Sequence, residues 1–484
     1  MEKHIIHKVY LELTTSSVTE AQKLKDSIGG FLNSEVFPLL EKQIDAIDHD
    51  MSSYAIQLDQ VHVEITEKEV RLNDNLKYTL VEKIEEEAQK VIKNIDDEQK
   101  QAASFEKKGK RLYKNEHELE TFIHFLKTGT NPWWSNASIT KLLAPKKFKE
   151  LLVTRDFTKK VTRVLRDKRV RDRVINQLTR ESVKALCMAI ATENSTLVQI
   201  DDASVQKIKK RPVVQQQQIW KEVLFAIGYQ ETIDIIALIA TIKDKATTTK
   251  AAEKKKQDIA IAQKEKRQQL EEEIKKTKSA EKTDQIAQEL AALDAEIERE
   301  KVTKEKLKEQ ASQEVESIPE TANQYTQNAG LVLVHPFLIH FFSHCGLLDE
   351  NKQLMNPELC VHLLHYIATG KTKQAESDMA FEKFLCDIPL YKTINRDITI
   401  TKKQKEQVHN LLNAVNKNWG VLKTSSHALL RNEFLQRLGK IEKNSSGITI
   451  LMEGKTQDIL LRKLSWGMGL IRLPWKKEFI YVNW

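Results

Sequence analysis

The sequence predicts a mainly α-helical protein with small α+β end domains and a long central helix or coiled-coil spacer. Of its 484 residues 30% are charged, whereas 14 are Gly and 9 are Pro, which favours long helices over a turn-dense β-sandwich. From Gln230 to Ile318 the chain has no Gly, Pro or aromatic residue. Near both ends, apolar and polar residues alternate as in half-buried strands. The predicted parts are residues 1–115, 116–242, 243–318 and 319–484.

The first part is expected to be a small α/β unit followed by an amphipathic helix. Four apolar residues near the start alternate as in a strand: Ile5, Val9, Leu11 and Leu13. Ser17 and Glu20 have the spacing of a capping box, which predicts a helix from Ser17 to the Gly29-Gly30 pair. The remaining predicted elements are a helix over 35–48, a strand over 56–65 and a charged helix over 67–106.

The second part contains the segment TFIHFLKTGTNPWW at 121–134. Here a helix is expected to end at Thr128, with Gly129 in the left-handed conformation that commonly terminates helices. The following Pro132 would place the Trp133-Trp134 pair at the start of the next element, where two large rings would serve as packing anchors.

Residues 141–180 form a basic block with 14 Lys or Arg and 4 Asp or Glu. The resulting charge of +10 exceeds the +8 of the whole chain. Such a block fits either a track for nucleic-acid phosphates or a docking surface for an acidic protein. Phe148 and Phe157 would be available to stack on bases. A helical nucleic-acid-binding protein that uses this block is therefore the alternative function.

The third part, residues 243–318, is predicted to be a charged helical spacer. From Lys250 onward it consists of Ala, Glu, Lys and Gln with sparse aliphatic residues. Glu300 and Lys304 interrupt a possible heptad seam, which is formed by Leu290, Leu293, Ile297 and Leu307. A helix over 250–316 would be roughly 100 Å long at ~1.5 Å per residue.

The fourth part is predicted to contain apolar helices followed by a small sheet. Helices are expected over 331–348, 357–369, 381–386, 406–421 and 426–438, and strands over 448–452, 469–473 and 479–482. Tryptophan recurs every nine residues near the end, at Trp466, Trp475 and Trp484. The last of these is expected to lie on a strand and to hold it in the core.

Motifs for catalysis or for cofactor binding are incomplete, so we predict no enzyme, no cofactor and no bound metal. Gly370-Lys371-Thr372 follows a predicted helix rather than a strand, and His365 stands where a phosphate loop needs its first Gly. A group of His and Cys residues between His335 and Cys386 makes a zinc enzyme a further alternative, but it has no CxxC motif. Ser426-His427 lacks the glycines of a nucleophile elbow.

Cysteine usage and hydropathy predict a protein of the reducing cytosol. Its four cysteines are dispersed, and the first residues, MEKHIIHKVY, lack the apolar run of a signal peptide. The apolar stretch 331–348 includes Pro336 and three histidines, which predicts a buried helix rather than a membrane span.

Two hexapeptides far apart in the chain resemble each other. HFLKTG at 124–129 and HYIATG at 365–370 share His, an aromatic residue, an aliphatic residue, any residue, Thr and Gly. Each follows an Asn nine positions upstream, Asn115 or Asn356. The pair indicates either an internal duplication or the independent use of one helix-ending pattern.

Several segments in a fixed order resemble the tape-measure proteins of phage-tail-like, extracellular contractile injection systems, related to the antifeeding prophage and virulence cassettes. They are HFLKTGTNPWW at 124–134, NAGLVLVHPFL at 328–338, GLLD at 346–349, HLLHYIATGK at 362–371, FEKFLCDIPL at 381–390, NWGVLKTSSHALLRNEFLQRLGKI at 418–441 and DILLRKLSWGMGLIRLPWKKEFIYVNW at 458–484. Within these segments the candidate structural or interaction positions are Phe125, Thr128, Gly129, Pro132, Trp133, Trp134, Gly330, Pro336, Phe337, Leu364, Gly370, Trp419, Arg431, Phe434, Trp466, Pro474, Trp475 and Trp484.

The resemblance implies a non-enzymatic scaffold in the tail-tube lumen that sets tube length during assembly in the bacterial cytoplasm. It implies that the tail tube, the baseplate or spike and the tube cap are partners, that copies of the chain associate, and that neither a membrane nor a cofactor is involved. The chain differs from the family in its short helical spacer, over about 243–316. This leaves open whether it measures length or only initiates or caps the tube.

Overall fold

A computed structural model describes most of the chain outside the predicted spacer. The described residues are 6, 9–12, 14, 17–48, 54–65, 71–98, 109–135, 138–193, 200, 202–242, 323–444 and 447–484. The helix or coiled coil predicted over 243–318, with its heptad positions, lies outside them. The chain divides into two compact units, which are Met1–Ala189 with Pro357–His362 and Lys371–Ile400 (unit 1), and Ile190–Asn356 with Leu363–Gly370 and Thr401–Trp484 (unit 2).

The described part of the chain is mainly helical, as predicted. Its α-helices are Val18–Phe31, Phe37–Asp48, Asp74–Glu98, Lys114–Thr128, Ile139–Leu142, Pro145–Leu152, Phe157–Val164, Lys168–Gln177, Arg180–Glu193, Asp202–Lys209, Val213–Tyr229, 235–242, His335–His344, Pro357–Thr369, Ala380–Leu385, Lys402–Asn418 and His427–Leu430. Short 3-10 helices are Ala329–Val334, Glu376–Met379, Gly420–Leu422 and Thr456–Lys463, and π-helical turns are Leu32–Val36 and Arg431–Leu435.

The first helix begins where the sequence predicts but does not end there. Ser17 accepts a hydrogen bond from the backbone N–H of Glu20, which confirms the predicted N-cap. The break predicted at Gly29-Gly30 is wrong, because the chain continues through a π-helical turn into Phe37–Asp48. Val36 and Leu40 pack with Val81, and this apolar contact fixes the helical path past the glycines.

The small sheet of unit 1 differs from the prediction. The strand expected over 5–13 is wrong for residues 9–12, which have no regular structure and expose Val9 and Leu11. β1 (Tyr54–Leu58) ends seven residues before the predicted limit, and it pairs antiparallel with β2 (Gly109–Tyr113). The sequence did not predict β2, because GKRLY shows little alternation of apolar and polar residues.

The core of unit 1 surrounds the helix Lys114–Thr128. Leu119, Phe122, Phe125 and Leu126 on this helix are completely buried. Besides β1 and β2, the helix contacts the short helices Ile139–Leu142, Pro145–Leu152, Phe157–Val164 and Lys168–Gln177. The spacing of the apolar residues in these short helices places one face of each against the central helix.

The apolar stretch of unit 2 folds as two helical segments rather than as one helix. A fully buried 3-10 helix, Ala329–Val334, leads into the α-helix His335–His344. Pro336 lies at the start of the α-helix, where its missing N–H leaves no intrahelical bond unmade. Among the described residues, no helix has both the length and the apolar character needed to cross a membrane.

A five-stranded sheet lies near the end of the sequence, in the order β3-β4-β5-β7-β6. Its strands are β3 (Asn323–Thr326), β4 (Gly439–Asn444), β5 (Gly447–Met452), β6 (Leu470–Ile471) and β7 (Ile480–Asn483). All neighbours pair antiparallel except β5 and β7, which are parallel. The sequence predicts β5, β6 and β7 but misses β3 and β4.

Candidate functional site

The helix Lys114–Thr128 ends as the sequence predicts. Gly129 adopts the left-handed conformation with φ 80°, and its N–H donates to the carbonyl oxygen of Phe125 at 2.8 Å. The Thr128 hydroxyl donates to the carbonyl oxygen of His124 at 2.9 Å. We call residues 124–129, together with the arginine that caps them, the first helix end.

The capping arginine of the first helix end is Arg173, which is completely buried. Its guanidinium donates to the carbonyl oxygens of Leu126 at 2.6 Å and Tyr391 at 2.5 Å, and to Glu376 Oε1 at 2.5 Å. A Cβ on Gly129 would lie 2.8 Å from Arg173 Nη2, so a side chain there would collide with the arginine. The close approach of the arginine, as well as the positive φ, therefore requires glycine.

Glu376 joins this arginine to the segment 371–400 of the same unit. Its Oε2 accepts hydrogen bonds from the ammonium of Lys383 at 3.3 Å and from the N–H of Ile394 at 3.0 Å, and its own N–H donates to Gln177 Oε1 at 2.9 Å. Burial lowers the pKa of Lys383, and the charge of Glu376 opposes this effect. The charges are tolerated in the core because hydrogen bonds accompany each of them.

This network could not be predicted from the sequence, because Arg173 lies in a basic block that indicates a phosphate track or a docking surface. Glu376 lies 203 residues further along the chain. The composition of a segment cannot identify one arginine among many as buried, because burial depends on which distant segment covers it.

Trp133 and Trp134 do not begin the next helix, which corrects the prediction for this pair. They lie in a turn and are half-buried, and the next helix starts at Ile139. The Trp134 ring contacts the edges of His117 and His124, with centroids 5.1 and 6.3 Å apart. Burial, with a smaller contribution from the Lys127 charge, lowers the pKa of His124 to about 4.

The buried Pro132 precedes these tryptophans and completes the turn after Gly129. The segment therefore folds back onto the helix Lys114–Thr128 from which it emerges. The tryptophans remain partly accessible to a partner, because neither is fully buried.

Residues 365–370, at the end of the helix Pro357–Thr369, form the second helix end. Gly370 has φ 70°, and its N–H donates to the carbonyl oxygen of Tyr366 at 2.9 Å. The Thr369 hydroxyl donates to the carbonyl oxygen of His365 at 2.8 Å. The segment Gly370-Lys371-Thr372 thus leaves a helix rather than a strand, which is the wrong context for a phosphate loop.

Arg431 caps the second helix end. Its Nε donates to the carbonyl oxygen of Ile367 at 2.9 Å, and its Nη2 to that of Tyr366 at 3.1 Å. The guanidinium and the ammonium of Lys405 both lie over the Tyr366 ring, 5.9 and 5.5 Å from its centroid. Burial lowers the pKa of Arg431.

Several predicted positions gather around the turn that carries Arg431. Phe434 lies on the same π-helical turn, and its ring meets the edge of Trp419 with centroids 4.7 Å apart. A Cβ on Gly330 would lie 1.8 Å from the carbonyl oxygen of Phe434, so only glycine fits there. Leu364 is completely buried in the helix that leads to Gly370.

The remaining predicted aromatic residues make separate contacts in unit 2. Trp466 meets Phe337 with centroids 5.3 Å apart and donates to the carbonyl oxygen of Leu333 at 3.0 Å. Trp475 meets Phe342 with centroids 5.5 Å apart. The tryptophans that recur every nine residues therefore pack on different partners.

The expectation for Trp484 needs correction, because it follows β7 rather than lying on it and is only half-buried. Its ring lies 5.3 Å from the guanidinium carbon of Arg437.

The predicted position Pro474 contributes a carbonyl oxygen that accepts a hydrogen bond from Gln353 Nε2 at 3.3 Å.

The basic block is partly internal and partly exposed. Besides the buried Arg173, its ion-paired residues include Lys147 with Glu118, Lys160 with Glu120, Arg169 with Asp167 and the exposed Arg155 with Asp156. The exposed members, which we call the basic face, are Lys141, Lys146, Lys149, Arg155, Lys159, Arg163, Arg166, Lys168 and Arg180.

The expectation that Phe148 and Phe157 can stack on bases is wrong. Each is 1% exposed, because both rings lie on the apolar sides of their helices and fill the core of unit 1. Phe148 instead meets Phe122, with centroids 5.8 Å apart. The basic face can therefore attract phosphates by its charge, but neither of these rings can stack on bases.

The histidines of the predicted His/Cys group make local hydrogen bonds. His362 Nε2 lies 2.8 Å from the carbonyl oxygen of Asn395, and His344 Nδ1 lies 2.6 Å from that of His340. Burial raises the pKa of the Cys345 thiol to about 11, so it is protonated at neutral pH. Within the described ranges, no three or more His, Cys, Asp or Glu side chains are arranged to hold a metal ion.

Comparison with known proteins gives one result that covers nearly the whole chain. The family model described as "Contractile injection system tape measure protein" matches residues 3–484. No curated protein and no solved structure matches the chain.

Proposed function

The chain belongs to the contractile injection system tape measure protein family, and we propose that it is a non-enzymatic assembly protein that sets or initiates the length of the tail tube. The observation that carries this proposal is the family match over residues 3–484, which covers nearly the whole chain, including the predicted spacer over 243–318. In this role the chain lies in the tube lumen and engages the tail tube, the baseplate or spike and the tube cap.

The composition of the predicted spacer supports a measuring role. Residues 250–316 have the charged, Gly- and Pro-free composition typical of a long helix, which at ~1.5 Å per residue would be roughly 100 Å long. If copies of the chain associate in the lumen, side chains of this segment need only be compatible with one another. The length of this segment would then determine the length of the tube.

An insertion experiment tests the proposal. Three heptads of similar composition placed near Lys278 should lengthen assembled tubes by roughly 30 Å, rounded to whole subunit rings. The matched control keeps the length and exchanges Glu and Lys within the same segment, and its tubes should be of ordinary length. Electron microscopy measures the tube length. If the insertion leaves this length unchanged, the chain does not measure the tube and only initiation or capping remains.

The basic face bears on the second candidate function, which is binding to nucleic acid. Lys159 and Arg163 lie one turn apart on the exposed side of the helix Phe157–Val164, and Arg155 and Arg166 flank it. Like charges at this spacing repel each other, so the arrangement favours an acidic partner. Because Phe148 and Phe157 are buried, we propose that this partner is an acidic protein surface of the particle rather than a nucleic acid.

A further inference from the structure

We infer that the chain contains two copies of one structural module, in which an arginine from a later helix fixes a Thr-Gly helix end, and that Arg173 and Arg431 are its corresponding positioning residues. Residues 124–129 and Arg173 belong to unit 1, whereas residues 365–370 and Arg431 belong to unit 2. The inference does not depend on the proposed function.

The two copies match in sequence and in burial. His124 to Gly129 and His365 to Gly370 agree in residue class at every constrained position. In the same register, three pairs of positions are completely buried in both helices, namely Leu119 and Cys360, Phe122 and Leu363, and Leu126 and Ile367. The two helices therefore turn the same face toward their own cores.

The hydrogen bonds of the two helix ends also correspond. In each copy the Thr hydroxyl donates to the His carbonyl four residues earlier, at 2.9 Å in the first and 2.8 Å in the second. In each copy the arginine donates to the carbonyl two residues after that His, which is Leu126 for Arg173 and Ile367 for Arg431. The arginine thus satisfies one of the carbonyls that a helix end leaves without an intrahelical partner.

Each arginine also lies against the glycine of its own copy. A Cβ on Gly129 would be 2.8 Å from Arg173 Nη2, and a Cβ on Gly370 would be 3.2 Å from Arg431 Nη1. A Thr-Gly helix end needs no such neighbour, because a left-handed glycine terminates helices by itself. The repeated arginine distinguishes a duplicated module from the independent use of a common pattern.

The segments that leave the two helix ends differ. Gly129 is followed by Thr130, Asn131, Pro132 and the two tryptophans, whereas Gly370 is followed by Lys371, Thr372 and Lys373. The same frame therefore presents an aromatic segment in unit 1 and a basic segment in unit 2. The first is suited to an apolar partner surface and the second to an acidic one.

Double-mutant cycles on the full chain test the module. Gly129→Ala and Gly370→Ala should each reduce amide-exchange protection of their own helix end, by roughly five- to tenfold for a loss on the scale of one hydrogen bond. In the Arg173→Lys and Arg431→Lys backgrounds the same glycine changes should reduce amide-exchange protection less, because the shorter lysine side chain leaves room for the new Cβ. The two cognate pairs should thus show coupling of the same sign.

Crossed pairs and surface arginines provide the controls. Gly129→Ala with Arg431→Lys, and Gly370→Ala with Arg173→Lys, should be additive. Arg169→Lys, on the helix of Arg173, and the exposed Arg462→Lys should leave both helix ends protected.

If Arg173→Lys prevents unit 1 from folding, Thr128→Val and Thr369→Val give a second comparison, since each removes the hydroxyl bond to the His carbonyl, and Thr128→Val also removes the bond from the Thr130 N–H at 3.2 Å. Loss of protection at both helix ends is then expected. Coupling in only one cognate pair, equal coupling in the crossed pairs, or loss at only one helix end in the threonine variants would overturn the inference.

Discussion

Arg173 and Glu376 form a completely buried ion pair, with Nε and Oε1 2.5 Å apart, across 203 positions of sequence. The pair brings the segment 371–400 onto the helices Lys114–Thr128 and Lys168–Gln177, and Lys383 adds a second buried cation. The Glu376 carboxylate therefore forms ion pairs with two cations, and all three side chains are buried. This arrangement makes Glu376 the residue on which the packing of that segment depends.

Replacing Glu376 with Gln should strongly destabilise unit 1. The change removes the carboxylate that forms ion pairs with the buried Arg173 and Lys383, and breaking a buried ion pair costs about 3–5 kcal/mol in comparable sites. Denaturant unfolding, followed by amide exchange in residues 114–177, measures the loss. Asp397→Asn is the matched control, because its pair with Lys373 is exposed on both sides and should contribute under about 1 kcal/mol. Equal stability of the two variants would contradict this account.

Gly330→Ala should destabilise unit 2. The new methyl group would need the space of the Phe434 carbonyl oxygen, 1.8 Å away, so the turn that carries Arg431 must move. Overpacking of this kind costs about 1–3 kcal/mol or more. Gly420→Ala is the control, because no heavy atom lies within 4 Å of its added Cβ. The two variants are compared by thermal unfolding, and a wild-type midpoint for Gly330→Ala would show that the approach is not tight.

Some of this architecture follows from the sequence because its causes are local. The N-cap at Ser17, the end of the helix at Gly129 and the strand around Ile450 depend on neighbouring residues, and all three are where the sequence predicts them. β4 was missed because GKIEKN has a single aliphatic residue, Ile441, and becomes a strand through its partners β3 and β5.

The candidate site likewise combines features that can be predicted from local sequence with features that depend on distant contacts. The two Thr-Gly helix ends could be identified from their hexapeptides, but the arginines that cap them could not. Arg173 looked like one member of a basic block, and Arg431 stood out only through the family resemblance. Their roles come from contacts between distant segments, for which a single sequence contains no periodic signal.

The stability of unit 1 should fall as the pH is lowered from about 6.5 to about 4. Burial holds the pKa of His124 at about 4 in the folded chain, below its ordinary value of 6.5. The unfolded chain therefore binds a proton first, so the contribution of neutral His124 is complete above pH 6.5 and is lost as the pH falls toward 4. The slope for one proton is at most roughly 1.4 kcal/mol per pH unit.

Urea unfolding at pH 7 and pH 5 measures this effect in the wild type and in His124→Gln. The variant should show a smaller pH dependence in amides of the helix Lys114–Thr128. His427→Gln, in unit 2, is the control for that helix and should leave its pH dependence unchanged. An identical slope in His124→Gln and the wild type would assign the titration to another group.

The basic face should bind nucleic acid only weakly. Its charge gives attraction to phosphates that salt screens, and the burial of Phe148 and Phe157 removes the predicted stacking. Binding of the full chain to a 30-nucleotide single strand should be detectable at low salt and lost near physiological salt. Lys159→Glu with Arg163→Glu should weaken it further, whereas Lys207→Glu with Lys209→Glu, outside the block, should have less effect. Sequence-selective nanomolar binding that the first pair abolishes would favour the nucleic-acid function instead.

Removing residues 460–484 should prevent tube assembly, in contrast to a change in spacer length. The deletion takes away β6 and β7, and it exposes Ile448 and Ile450 on β5, which pairs with β7. It also removes Trp466 and Trp475 from their contacts with Phe337 and Phe342.

Trp484→Ala is the milder control, because this half-buried ring contributes one cation–π contact with Arg437, and its loss should leave the sheet intact. Electron microscopy should therefore show no tubes for the deletion and tubes of ordinary length for Trp484→Ala. Normal tubes from the deletion variant would mean that the terminal strands serve the stability of unit 2 and are not needed to start the tube.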